Sequence, residues 1–343
     1  MKLAGWQVKA GSFLLAALLS VPAWSADTDS RHTASPGTLN YVEGQASIGD
    51  QMLDSKAVGY ADLQNGQVLE TGSGKAELLL TPGVYLRLGD NSSVKMVSNG
   101  LADTQLALDQ GHAMLEVDQI YPQNNIQISQ PGADTRIEKT GLYGFDANGQ
   151  VVRVFDGKAV VTADDKATTV KKGHELALNS EKLKAKGFDK NAVTDNNDLY
   201  RWSSLRSEYL AQANVDTART YYANGWYGPG WWGAGWYWDP WFAGYTFIPG
   251  NGFFYNPFGW GFYSPLVAWR APYAFSRGYV HAFNGTRPMA IGRGFRGNAV
   301  TAFRGRAAMG GGFHGGGAFR GGSGFHGGAV HSFGGFHGGG FHH

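Results

Sequence analysis

Between Leu39 and Ser180 apolar side chains recur at every second position in short runs, and each run ends at glycine, asparagine or aspartate. In "VYLRLGDNSSVKMVS", Val84, Leu86 and Leu88 share one face and Tyr85 and Arg87 the other. The chain then turns at Gly89 to Asn91 and resumes at Val94 and Met96. A period of two marks a strand with one buried face, because successive side chains of extended backbone point to opposite sides. "QLALDQGHAMLEVDQI" repeats the pattern about Gln110-Gly111. "GLYGFDANGQVVRVFDGKAVVTAD" carries Asn148-Gly149 and Asp156-Gly157, dipeptides that tolerate positive φ and favour tight hairpins. "KKGHELALN" closes the series near Leu178. Helical periodicity is almost absent here, so residues 39–180 predict an all-β domain of roughly ten to twelve short strands around one core.

The amino terminus, "MKLAGWQVKAGSFLLAALLSVPAWSAD", places Lys2 and Lys9 before an apolar run from Phe13 to Leu19 and a small-x-small site at Ala23, Trp24 and Ser25. That order predicts a secretory signal over residues 1–25, and the apolar run is too short to span a bilayer. Residues 26–38 read as a loose polar segment. No later run is apolar enough to cross a membrane. The absence of cysteine removes a disulfide framework, a lipoprotein attachment site and thiolate metal ligands. The expected location is therefore the periplasm, the cell surface or the extracellular medium.

Residues 181–225 form a lysine-rich linker and one helix. Leu199, Trp202, Leu205, Tyr209 and Ala213 recur at three and four, and Asp195 to Asp198 offer the cap. Residues 226–291 are a Gly/Pro-rich aromatic module: from Trp226 to Trp269, 19 of 44 residues are Trp, Tyr or Phe and Asp239 is the only charge. Its rings either pack on one another and cap the strand domain, or face a partner, a glycan or a membrane. In residues 292–343 arginine and histidine enter, and Gly310 to His343 holds 16 glycines in 34 residues. Glycine at that density has too much backbone entropy and too little side chain to order itself, so this tail is expected to be disordered.

The formal net charge of +2 conceals an asymmetry. Residues 39–180 carry 18 Asp/Glu against 11 Lys/Arg, whereas Pro240 to His343 carries eight arginines and no carboxylate. An acidic front and a basic rear point to interaction.

The strand domain resembles the periplasmic FecR domain of bacterial ferric-citrate-type sensors. The resemblance rests on Thr71-Gly72, the Gly89 to Ser92 turn, Lys139-Thr140-Gly141-Leu142-Tyr143-Gly144-Phe145, a hairpin through Asp156-Gly157, and the final Gly173 to Leu178. It implies a FecR-like β-sandwich or short β-solenoid, and motifs of glycine and apolar residues specify a fold better than an activity. The family's anti-sigma members place a sigma-binding segment and a transmembrane helix where this chain has a signal sequence. The whole arrangement is similar to exported FecR-domain proteins of environmental bacteria such as acidobacteria.

Catalytic signals are missing. His112 and His174 stand beside turn glycines, and no nucleophile elbow, His-Glu-x-x-His or phosphate loop is present. Gly292-Arg293-Gly294-Phe295-Arg296-Gly297 fits a dinucleotide template without the flanking strand and helix that template needs. The expectation is a protein that is not an enzyme and has no cofactor. His314, His326, His331, His337, His342 and His343 are candidate ligands for weak nickel, zinc or copper binding, with irregular spacing and no supporting carboxylate. Trp231, Trp232, Trp236, Trp238 and Trp241, with Arg293, Arg296, Arg304 and Arg306, are the candidate partner surface. Export disfavours a nucleic acid and favours an envelope protein or an anionic polysaccharide or lipopolysaccharide surface. The leading expectation is a non-enzymatic envelope interaction or structural protein. An envelope sensing component related to FecR regulators comes second, and metal binding by the tail third.

Overall fold

The computed structural model describes residues 34–180, 182–225 and 233–270. The alternating stretch opens with β1 (Leu39–Ile48), the two-residue β2 (Gln51–Met52), β3 (Val68–Leu79), β4 (Val84–Leu88) and β5 (Ser93–Asn99). It continues through β6 (Asp103–Gln110), β7 (His112–Val117), β8 (Asn125–Gln130), β9 (Ala133–Ile137) and β10 (Gly141–Asp146). β11 (Val151–Asp156), β12 (Lys158–Ala163), β13 (Lys166–Lys171), β14 (His174–Ala177) and β15 (Lys186–Gly187) complete it. The strands up to β14 number fourteen, more than expected from the sequence. The surplus includes β2, which is too short to show an alternation.

All fifteen strands belong to one sheet whose path runs β13-β12-β9-β8-β6-β5-β3-β4-β7-β10-β11-β14-β15. Long β3 is the pivot. Its first residues pair with β5, as Leu69 with Val94, and its last with β4, as Ala76 with Leu88. β1 runs antiparallel along both halves with a register shift at Gly44/Ala46. The two arms enclose a single apolar core, in which Leu106, Ile128 and Val161 of one arm join Leu86, Leu115, Tyr143 and Val154 of the other. The all-β expectation holds, with the strands gathered in one large sheet.

Three of the anticipated hairpins are something else. Asn148-Gly149 closes the β10–β11 hairpin, but β4 and β5, β6 and β7, and β11 and β12 do not pair with each other. The turns at Gly89 to Asn91, Gly111 and Gly157 instead carry the chain from one arm to the other. Positive φ makes these corners: Gly111 lies at 81° and Gly157 at 96°. A Cβ on Gly157 would stand 2.2 Å from the Tyr143 hydroxyl, so the corner also requires the absent side chain. β7 crossing between β6 and β8 leaves those two strands parallel.

α1 (Lys190–Asp195) is followed by α2 (Asp198–Ala223), whose first turn is capped by Asn197 Oδ1 accepting from the Tyr200 N–H at 2.8 Å. The buried face of α2 differs from the expected one. Leu199 is buried, but Leu205 and Tyr209 are 40% and 42% exposed, while Ser203, Ser207, Asn214 and Thr217 are buried. The surface beneath the helix is mixed: Ser207 and Asn214 meet polar groups there, and Leu210, Ala211, Val215 and Ala218 meet apolar ones. β16 (Gly235–Asp239) pairs with β17 (Gly244–Ile248), β18 (Phe253–Tyr255) with β19 (Gly261–Tyr263), and α3 (Pro265–Arg270) ends the described chain. These hairpins pack on α2 and the outer face of β3 and β4, where Leu79, Tyr85, Leu210, Tyr245, Phe247 and Phe262 form a second core. The described part of the aromatic module thus caps the strand domain. Among the described residues, no helix is long and apolar enough to cross a membrane.

Candidate functional site

The alternation that sends Leu86 and Leu88 inward sends Arg87 out, onto the face covered by α2 and the aromatic hairpins. Register places Glu77 directly opposite Arg87, and Glu116 one diagonal away, opposite Tyr85. The side chains of Glu77 and Arg87 have no solvent exposure, and Glu116 is equally buried. Arg87 Nε donates to Glu77 Oε2 at 2.7 Å and Nη1 to Glu116 Oε2 at 2.5 Å. From α2, Arg206 Nη2 donates to Glu77 Oε1 at 2.8 Å and the Ser207 hydroxyl to Glu116 Oε1 at 2.7 Å. Asn256, between the β18 and β19 strands, donates to Glu116 Oε1 at 2.7 Å, and Asn40 of β1 donates to Glu77 Oε1 at 2.8 Å.

Two carboxylates and two guanidinium groups balance, which is the condition for charges to survive in a dry interior. Burial alone would raise Glu77, but Arg206 and Arg87 outweigh it and hold its carboxyl down at about 2. Arg87 itself is held above its ordinary value: burial opposes its charge, and Glu116 and Glu77 more than offset that. Asp118 is the exception. It is buried beside Glu116, away from the guanidinium groups that neutralise the two glutamates. Burial first, then the Glu116 charge, pushes its carboxyl well above the ordinary range.

Asparagines tie the hairpins to this base. Asn40 Oδ1 accepts the Tyr245 N–H at 2.6 Å and its Nδ2 donates to the Tyr245 carbonyl at 3.0 Å, in the manner of a strand neighbour. Asn214 of α2 donates to the carbonyls of Phe247 and Tyr263 at 2.9 and 3.1 Å and accepts the Tyr263 N–H at 2.8 Å. Asn256 accepts the N–H groups of Phe258 and Trp260, which folds its own loop. The chemistry is positional: both glutamates are fully engaged and closed to solvent, so the network locks sheet, helix and hairpins in one arrangement.

Of the anticipated surface tryptophans, Trp236 stands edge-on to Tyr85 at 4.9 Å and to Phe247 at 5.9 Å, and Trp238 edge-on to Tyr245 at 5.2 Å. Both are half-buried. Trp241 is 87% exposed. Trp231, Trp232, the four arginines and the six tail histidines lie outside the described residues. His112 and His174 are exposed beside their turns. Among the described residues no group of three His, Asp or Glu is placed to hold a metal ion. The sequence reading passed over Glu77, Arg87, Glu116, Arg206 and the three asparagines. One signal was available: Glu77 in "AELLL", Arg87 in "VYLRL" and Glu116 in "AMLEV" each interrupt an apolar run.

Residues 67–160 match the family described as FecR protein. Two crystal structures of a candidate anti-sigma factor from Parabacteroides distasonis, at 2.50 and 1.65 Å resolution, are similar at 14% and 13% identity, each with a TM-score of 0.33. Each match covers 37% of this chain and 62% of the other, so the chain spans less than two thirds of the structures it matches. No curated protein matches the sequence. The family match runs from the turn before β3 into β12 and contains Glu77, Arg87 and Glu116, whereas Asn40, Arg206, Ser207 and Asn256 reach that FecR-like segment from outside it.

Proposed function

We propose that the protein is a non-enzymatic interaction module of the bacterial cell envelope, exported by its amino-terminal signal, in which a FecR-like sheet holds an aromatic module rigid for contact with a partner. The observation that carries this reading is the buried network: four polar side chains from outside the FecR-like segment are spent on fixing α2 and the hairpins to it. Rings that are rigid before contact lose little entropy on binding. Phe253, Tyr255 and Trp269 are exposed on the module so fixed, and the eight arginines after Pro240 add attraction to an anionic envelope surface.

Truncation before the module would uncover Glu116 and unfold the joint, so the test uses surface substitutions. Full-length protein and the triple variant Phe253→Ser/Tyr255→Ser/Trp269→Ser are expressed in the host, crosslinked and fractionated. Loss of envelope crosslinks in the variant is the expected result, and identical crosslinks in both would overturn the reading. The FecR match favours a second reading, a regulatory component that signals through a separate membrane protein. It predicts crosslinks to one integral membrane protein through residues 67–160, unchanged by the triple variant.

A further inference from the structure

One feature of the aromatic module lies apart from both the buried network and the exposed Phe253 and Trp269. An open cleft of about 590 Å³ runs between the last turns of α2 and the turn joining β16 to β17. The helix contributes Asp216, Thr220, Tyr221 and Asn224, and the hairpin contributes Trp238 and Trp241. The volume lies within the range of small-ligand sites, roughly 300–1,000 Å³.

The turn carrying Trp241 is built to hold its position. Asp239 Oδ1 accepts the N–H groups of Trp241 and Phe242 at 2.8 and 3.1 Å, and its Oδ2 accepts the Thr217 hydroxyl of α2 at 2.9 Å. A carboxylate that is itself buried thus pins the turn to the helix, yet the indole it positions is 87% exposed. Packing explains Trp236 and Trp238, and it does not explain Trp241. Across the cleft stands the exposed Asp216 carboxylate, on which the buried Asp239 and the Arg219 guanidinium both act. No lysine or arginine lines the cleft.

Flat rings beside a carboxylate, an amide and a hydroxyl match one ligand chemistry closely. A sugar ring has an apolar C–H face that stacks on an indole and a rim of hydroxyls that donate to carboxylate and amide oxygens. A guanidinium would need one ring and one carboxylate, and would leave the Asn224 and Thr220 side of the cleft unused. We propose that this cleft binds a neutral or N-acetylated saccharide, with Trp241 as the stacking platform, Trp238 and Tyr221 as its walls, and Asp216 and Asn224 as the groups that meet ring hydroxyls. Asp216 and Asp239 together disfavour acidic glycans here. The proposal rests on the interaction-module reading and names a ligand class for one part of it.

The test is affinity electrophoresis of the purified full-length protein in native gels containing a soluble β-glucan, glycol chitin or polygalacturonate, with a hexa-arginine peptide as competitor. Retardation by β-glucan or glycol chitin is expected. Trp241→Ala should weaken it about tenfold or more, and Asp216→Asn several-fold, with unchanged melting temperatures. Retardation by polygalacturonate that persists in Trp241→Ala belongs to the basic residues elsewhere, and the proposal is read from the neutral glycans alone. Absence of retardation by both neutral glycans, or retardation that Trp241→Ala leaves intact, overturns the saccharide site. So does displacement of the glycan by hexa-arginine. Because the triple variant that tests the envelope reading leaves Trp241 and Asp216 in place, either idea can fail without the other.

Discussion

Replacing Arg87 by methionine removes the central cation of the buried network and keeps most of its volume. Glu77 Oε1 then retains Arg206 and Asn40, and Glu116 Oε1 retains Ser207 and Asn256, while the Oε2 atom of each loses its Arg87 donor. The charges no longer balance: two carboxylates face one guanidinium in a site without solvent. Removing one member of a buried ion pair costs about 3–5 kcal/mol. The position of Glu77 gives an independent scale: held down to about 2 from an ordinary 4.5, its ionised form carries roughly 3 kcal/mol of stability. For a folded unit of this size each kcal/mol moves Tm by about 2–4 °C, so Arg87→Met should melt roughly 6–20 °C below the native chain at pH 7.

The sign of the pH dependence separates charge from packing. Because Glu77 is depressed in the fold, its contribution is complete above about 4.5 and is lost as pH falls from there towards 2. In Arg87→Met one carboxylate is left uncompensated, and protonation relieves it, so the deficit should narrow between pH 7 and pH 4. The double variant Arg87→Met/Glu116→Gln leaves Glu77 and Arg206 as a balanced pair and should recover most of the loss, since it removes the carboxylate that the single variant leaves uncompensated. Calorimetry at both pH values decides. A single variant melting within about 2 °C of the native chain, or a double variant no better than the single one, would show that the network does not hold the joint.

Asp118→Asn should raise Tm at pH 7. Asp118 is raised in the fold, so its favourable share exists below about 3.8 and turns to a penalty as pH climbs; the gain from the amide should vanish below about pH 4 in the same melts. Asn214→Leu strands the Phe247 and Tyr263 carbonyls and the Tyr263 N–H, for a cost of roughly 2–4 kcal/mol in urea unfolding, with the near-ultraviolet aromatic signal of the module lost first. Gly157→Ala sets a methyl against the Tyr143 hydroxyl at positive φ and should destabilise by about 2 kcal/mol or more, whereas the same change at Gly132, open around its Cβ position, should cost less.

The strands of the front half were legible because alternation is a local consequence of one buried face. Val84, Leu86 and Leu88 announce their side of β4 without reference to the rest of the chain. Their partners were not legible. Positive φ at Gly111 or Gly157 specifies a sharp corner, and a corner serves a hairpin and an arm-to-arm crossing equally well. Which one forms is settled by distant pairing, such as Val84 with Val117 or Ala159 with Ile137. For α2 the sequence marked the helix and its cap, and Leu199 and Ala213 of the expected stripe are buried, but Leu205 and Tyr209 point outward. The surface beneath is partly charged and carries free backbone groups of the hairpins, so Ser207 and Asn214 are buried there beside Leu210 and Val215.

The aromatic module defeated periodicity for a related reason. All five residues of β17 are buried, with the sheet on one side and α2 on the other, so no alternation can appear in it. What sequence does retain is the mismatch between type and setting. A glutamate or arginine inside an apolar run is costly unless something distant neutralises it, so Glu77, Arg87 and Glu116 together imply a cover that brings opposite charge and hydrogen-bond donors. Arg206, Ser207, Asn40 and Asn256 are that cover. The acidic excess counted along residues 39–180 therefore overstates what the surface presents, since Glu77, Glu116 and Asp118 never reach it. The joint and the acidic front draw on the same carboxylates, and for a partner approaching from outside only the exposed ones exert a field.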